Sequence, residues 1–245
     1  TANGKQLRAW LIPAALREVG SAVLLHGWGG NRDNLLPLAA ALHDAGWRCL
    51  LIDARCHGES DEDSFTSLPR FAEDLAHACV AVDGDGPLVV IGHSVGAAAA
   101  LLHAARSPEI AGVVSIAAFS HPANMMRRWL AQKGVPYFPL GYLILRYVQA
   151  VIGARFDEIA PRRSVQLLRA ECLLIHGAED EIVPVDEARE IFAAADPART
   201  HLQILPGRHD DFGLSEAQGI AQVCRFLQSL LLRREGAPEL GLGDG

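Results

Sequence analysis

One serine stands between two glycines in Gly92-His93-Ser94-Val95-Gly96, directly after the apolar run Leu88, Val89, Val90 and Ile91 and ahead of a segment rich in alanine. A nucleophile presented at such a strand-to-helix turn sits in strained backbone, and flanking glycines let strand and helix approach closely. A serine hydroxyl is a poor nucleophile at neutral pH, so it needs a base within hydrogen-bond reach and a third group to orient that base. Two stretches downstream can supply them. The run 172–175 leads into His176-Gly177-Ala178-Glu179-Asp180-Glu181-Ile182-Val183-Pro184, a loop with three carboxylates, any of which could serve as the acid. The run 201–205 leads into Pro206-Gly207-Arg208-His209-Asp210, which places a histidine at the end of the next strand. Acyl transfer also needs backbone N–H groups aimed where negative charge develops. The candidates are Val95, at the head of the helix, and Trp28, in the glycine-rich turn His26-Gly27-Trp28-Gly29-Gly30.

Groups at positions 28, 94, 180 and 209 can meet only on a scaffold that gathers distant segments. Runs rich in Val, Ile and Leu recur at 22–25, 48–52, 88–91, 110–116, 172–175 and 201–205. Most are continuously apolar, as expected of strands buried on both faces of a mainly parallel sheet. Helical spacing falls between them at 35–45, 69–82, 95–106, 186–195 and 216–232, with a further helix near 162–169, and segment 6–12 can add an edge strand. The alternation predicts an α/β fold with helices on both sides of the sheet. After the strand at 110–117, about forty residues carry Trp129, Tyr137, Phe138, Tyr142 and Tyr147 without a strand pattern, too long for a loop in a compact domain. The expected division is therefore a core at 1–118 and 160–233, a helical cap at 119–159 inserted after the sixth strand, and a flexible tail at 234–245. The cap is expected to cover Ser94 and to set acyl-chain preference through Trp129, Tyr137, Phe138, Tyr142 and Leu143.

Over roughly residues 7–232 the sequence resembles the serine-hydrolase branch of the α/β-hydrolase superfamily, most closely its small carboxylesterases and monoacylglycerol-lipase-like members. The matching pieces are HGWGG at 26–30, LIDARCHGES at 51–60, GHSVG at 92–96, HGAEDEIVP at 176–184 and GRHDD at 207–211. Nucleophile, acid and histidine follow one another in that superfamily's order. The resemblance implies the α/β-hydrolase fold with Ser94 as nucleophile, His209 as base, Asp180 as acid, and Trp28 and Val95 as oxyanion donors. The D-x-x-V-P spacing favours Asp180 over Glu179 and Glu181. Two positions depart from the family pattern: Cys56 replaces the first glycine of D-x-R-G-x-G-x-S, and Asp210 and Asp211 follow the histidine where a small residue is usual.

The activity so implied is hydrolysis of small to medium carboxylic esters through an acyl-enzyme. A thioesterase, a lysophospholipase or a monoacylglycerol lipase would present the same residues, since fold alone does not choose among them. Dehalogenases and epoxide hydrolases of this fold need an aspartate where Ser94 stands. A non-catalytic ligand-binding protein on the same scaffold is the rival of another class, and a plain helix N-cap is the rival role for Ser94.

Composition narrows the partners. The formal net charge of −7 disfavours a phosphate-tracking surface, so no nucleic-acid partner is expected. The longest apolar stretch, 137–153, is broken by Pro139, Arg146 and Gln149 and falls short of the ~18 residues a membrane span requires. Five scattered cysteines, Cys49, Cys56, Cys79, Cys172 and Cys224, fit a reduced, cytoplasmic compartment. No His or Cys pair has metal-ligand spacing, and the turn 27–30 lacks both the P-loop lysine and the third glycine of a dinucleotide fingerprint, so neither metal nor cofactor is expected. Against the acidic whole, 121–170 carries eight Lys or Arg (Arg127, Arg128, Lys133, Arg146, Arg155, Arg162, Arg163 and Arg169) and only Asp157 and Glu158, a net of +6. Such a cap could meet an anionic membrane surface; the plainer reading is that its arginines pair with carboxylates of the body. A small-molecule ester is the expected ligand, and the protein a monomer or homodimer.

Overall fold

Successive apolar residues can all be buried only where both faces of a strand are covered. The computed structural model, which describes residues 1, 3–210, 217–234 and 236, has one sheet of seven strands. These are β1 (Ala9–Ile12), β2 (Gly20–Leu25), β3 (Trp47–Ile52), β4 (Leu88–His93), β5 (Ile110–Ile116), β6 (Glu171–Gly177) and β7 (Thr200–Leu205), in the order β1-β3-β2-β4-β5-β6-β7. β1 runs antiparallel to β3 at one edge, and every other pair is parallel. Within β2, Val23 and Leu25 join the core on one face while Ala22 and Leu24 join the core on the other.

The helices divide accordingly. α1 (Leu36–Asp44) and α9 (Ala217–Arg234) cover one face; α2 (Leu68–Ala81), α3 (Val95–Ala104) and α8 (Asp186–Ala194) cover the other. The insertion consists of α4 (Pro122–Gln132), an irregular turn Tyr137–Gly141, α5 (Tyr142–Ile152) and the single turn α6 (Phe156–Ile159). α5 rests on the core through Leu145, flanked by Ile144, Val148 and Ile152. Arg128 of α4 pairs with the buried Glu187 of α8, which also accepts the N–H of Ser120 at 2.6 Å and its hydroxyl at 2.8 Å. Burial would raise the Glu187 pKa, but Arg128 and Ser120 together hold it below the usual range.

Two expectations need correction. The insertion leaves the sheet after the fifth strand in chain order, not the sixth, because the segment ahead of β2 contributes only β1. The helix expected near 162–169 is one turn, α7 (Pro161–Ser164), followed by the 3₁₀ turn Val165–Leu167; at Leu168 the chain is already extended, with φ −64° and ψ 136°. Apart from Arg234 and Gly236, the expected tail lies outside the described residues, as does Asp211. No helix among the described residues is long and apolar enough to cross a membrane.

Candidate active site

β4 ends at His93 and α3 begins at Val95, so one residue must turn the chain. Ser94 does so at φ 54° and ψ −117°, a backbone region costly for any residue with a side chain. The turn is held by the Ser94 N–H on the Ile116 carbonyl at 2.8 Å and by the Ser94 carbonyl accepting Ala98 N–H at 3.1 Å. Both motif glycines are close approaches. A Cβ on Gly92 would lie 2.2 Å from the Gly96 oxygen, and one on Gly96 would lie 2.4 Å from the carbonyl oxygens of both Leu25 and His26.

Parallel strands end on the same side of the sheet, which carries the loops after β6 and β7 to the same place as Ser94. The Ser94 hydroxyl lies 3.0 Å from Nε2 of His209, and Nδ1 of His209 lies 2.7 Å from Oδ2 of Asp180. Ser94, His209 and Asp180 are all buried. Oδ1 of Asp180 accepts the N–H groups of Ile182 at 2.9 Å and Val183 at 2.7 Å. His176 gives its Nε2–H to the Val183 carbonyl at 2.7 Å, leaving a 3.4 Å electrostatic contact with Asp180. Burial alone would raise the Asp180 pKa; the two imidazoles and the Val183 N–H outweigh it and hold the carboxyl far below the ordinary range. Glu179 and Glu181, the rival acids, are exposed.

The turn after β2 closes the other side. A Cβ on Gly27 would stand 3.1 Å from that of Ser94, so the chain passes directly beside the serine. The N–H groups of Trp28, next to Gly27, and of Val95, next to Ser94, have no hydrogen-bond partner among the described residues. His26 holds this turn against the end of β3: Nε2 accepts Ala54 N–H at 3.0 Å, which leaves Nδ1–H to donate to the Gly27 carbonyl at 2.7 Å. Only the neutral ring can make both bonds, and burial pushes its pKa down to about 4. Asp53 anchors the next turn, accepting the N–H groups of Arg32 at 2.8 Å and Glu59 at 2.9 Å. Cys56, at the position usually glycine, retains the left-handed backbone with φ 63°, and its sulfur accepts the Asp63 N–H at 3.2 Å.

The cleft over Ser94 has a volume of about 520 Å³, and its walls include Trp28, Asn34, Met125, Ile182 and Asp210. The cap supplies Met125, whereas Trp129, Tyr137, Phe138, Tyr142 and Leu143 do not line it. The inward side of α5 is taken by Leu145 and its neighbours, which turns Leu143 to solvent; Tyr137 and Tyr142 border a separate cavity of about 160 Å³. His93, beside the serine, donates its Nε2–H to the main-chain carbonyl of His209 at 3.0 Å, a contact the sequence did not reveal. Burial, reinforced by the neighbouring His209, pushes the pKa of His93 down to about 4. Ligand atoms of His93, His209 and Asp210 lie within 4.8 Å of one another. That cluster is a poor metal site, because both His209 nitrogens and the His93 Nε2 are already engaged.

Comparison with known proteins adds three findings. Residues 23–143 match the family profile described as the alpha/beta hydrolase fold. An uncharacterised protein of Mycobacterium tuberculosis is 29% identical over 220 residues, 86% of this chain and 70% of that one, and the sn-1-specific diacylglycerol lipase ABHD11 of Xenopus laevis is 29% identical over 153 residues, 62% of this chain and 44% of that one. Among solved structures, the Pyrococcus furiosus esterase Pf2001 superposes with a TM-score of 0.74 at 19% identity, over 93% of this chain and 89% of that one.

Proposed function

We propose that this chain, which has the α/β-hydrolase fold, is a serine hydrolase that cleaves small to medium carboxylic esters. The observation that carries the reading is the continuous line of two hydrogen bonds from Ser94 through His209 to Asp180, at 3.0 and 2.7 Å. His209 Nε2 takes the proton as Ser94 Oγ attacks the ester carbonyl, and Asp180 fixes the ring so that Nε2 is the free base. The N–H groups of Trp28 and Val95 receive the negative charge that develops on the carbonyl oxygen. Collapse breaks the bond to the alcohol, whose oxygen takes the proton from His209. Water, deprotonated by the same nitrogen, then releases the acid from the acyl-enzyme.

A fluorophosphonate probe should label the protein at Ser94 and leave Ser94→Ala unlabelled. A chain-length series of p-nitrophenyl esters then gives the acyl preference. No labelling of the wild type would leave a non-catalytic binding protein as the better reading. The diacylglycerol lipase named above supports a second substrate, an acylglycerol ester.

A further inference from the structure

The basic charge on 121–170 faces few carboxylates. Of its eight Lys and Arg, Arg128 alone makes an ion pair among the described residues. Arg127 instead donates to the Tyr137 hydroxyl at 3.0 Å and covers its ring, and Arg163 reaches the amide oxygen of Gln166. The reading in which body carboxylates neutralise the cap therefore fails at most of these positions.

The same stretch exposes apolar side chains. Phe138 is 78% exposed, Tyr147 71% and Leu143 58%, with Leu140 and Val151 also open. Leu143, Tyr147 and Val151 follow one another at intervals of four, so they share the outer side of α5 while Leu145 faces the body. Arg146 is exposed beside them. Projecting aliphatic and aromatic groups bordered by cations mark an interaction surface rather than ordinary solvent-facing helix.

We propose that this outer side of the cap docks on an anionic lipid bilayer. α5 lies in the plane of the interface, with Leu143, Tyr147 and Val151 at the acyl boundary and Arg127, Lys133, Arg146 and Arg155 among the headgroups. A second copy is a poor occupant, because face-to-face caps would set a net of +6 against +6. A folded protein partner would need a pocket for each projecting side chain, whereas a bilayer accepts them as they stand. The remainder of the chain carries −13, given the total of −7, and is repelled by the same lipid, which fixes the orientation with the cap down. Docking in this way does not depend on the chemistry assigned to Ser94.

The test is sedimentation of the full chain with vesicles of phosphatidylcholine alone and with vesicles in which about a third of the lipid is phosphatidylglycerol. The wild type should partition roughly tenfold or more in favour of the anionic vesicles, and physiological salt should weaken that preference. Tyr147→Asp with Val151→Asp should lower binding about tenfold. Arg146→Glu with Arg155→Glu should remove the preference for anionic lipid. Near-UV circular dichroism and fluorophosphonate labelling, both unchanged in these variants, would show that the fold is intact. Failure of the wild type to sediment, or binding by the Asp variant equal to wild type, would overturn the proposal. So would a dimer in sedimentation velocity that the Asp substitutions dissociate, which would assign the surface to a second copy. Loss of labelling in every form, wild type included, would count against the esterase reading and leave the vesicle result standing.

Discussion

α3 and α5 are helices of nearly equal length, 10 and 11 residues, built to opposite ends. Every residue of α3 is buried, and its run of alanines lets it sit among α2, β4 and β5 with its first turn against two backbone carbonyls. α5 has one fully buried residue, Leu145, and leaves aromatic and aliphatic side chains in the open. The first helix locates Ser94 to within a hydrogen bond, because nothing around it can yield. The second packs on the core along one side only and leaves its other side to the surroundings. On the proposed roles, placement of chemistry and contact with surroundings fall to separate parts of the chain.

That contrast can be broken most forcefully at the body end. Ser94→Ala and His209→Ala should each lower kcat on a p-nitrophenyl ester by roughly 10⁴-fold or more with unchanged circular dichroism, and Asp180→Asn somewhat less. Full activity in either alanine variant would remove the reason for the rigid helix. Next in size is Gly96→Val, for which denaturant unfolding should show a loss of about 4 kcal/mol or more, because the added atoms meet backbone that cannot move aside. Tyr147→Ser on the cap should stay within about 0.5 kcal/mol of wild type in the same assay.

Acid sharpens the comparison further. His26 and His93 titrate near 6.5 when unfolded but at about 4 in the fold, so the unfolded chain binds more protons between those values. Stability should be complete above pH 6.5 and fall as the pH drops toward 4, by at most roughly 3 kcal/mol for each ring. Thermal melts across that window should show the decline, and His26→Gln should flatten part of it. A level melting temperature from pH 7 to about 4.5 would mean that these rings are not held neutral. The smallest effect concerns selectivity. Met125→Ala should change the ratio of short-chain to long-chain ester turnover by up to about tenfold, and Tyr142→Ala should leave it nearly unchanged.

Much of the body was legible in the sequence, for reasons that do not extend to the cap. Continuous apolar runs become parallel strands wherever helices follow at short intervals, and parallel strands must end on one side. Ser94, Asp180 and His209 each close such a run, so their meeting follows from topology. The resemblance, not periodicity, separated Asp180 from Glu179 and Glu181. In the cap, aromatic residues at 129, 137, 138 and 142 suggested a substrate wall, but aromatic character does not say which side of a helix faces inward. Leu145, Ile144 and Val148 took that side of α5, and the cap's contribution to the cleft fell to Met125, a residue with no distinguishing local signal. The contact made by His93 was illegible for a similar reason: its partner is a main-chain carbonyl 116 positions away, and main-chain carbonyls carry no sequence identity.

Among the described residues, His209 follows β7, the last strand of the sheet in chain order and an edge strand paired only with β6. Ser94 precedes His209 by more than a hundred residues, so on the proposed roles the nascent chain would carry an unactivated hydroxyl until that final strand docks. If the edge strand opens locally before the central strands unfold, fluorophosphonate labelling should disappear at lower denaturant than the far-UV signal, and coincident transitions would show that the sheet comes apart as one unit.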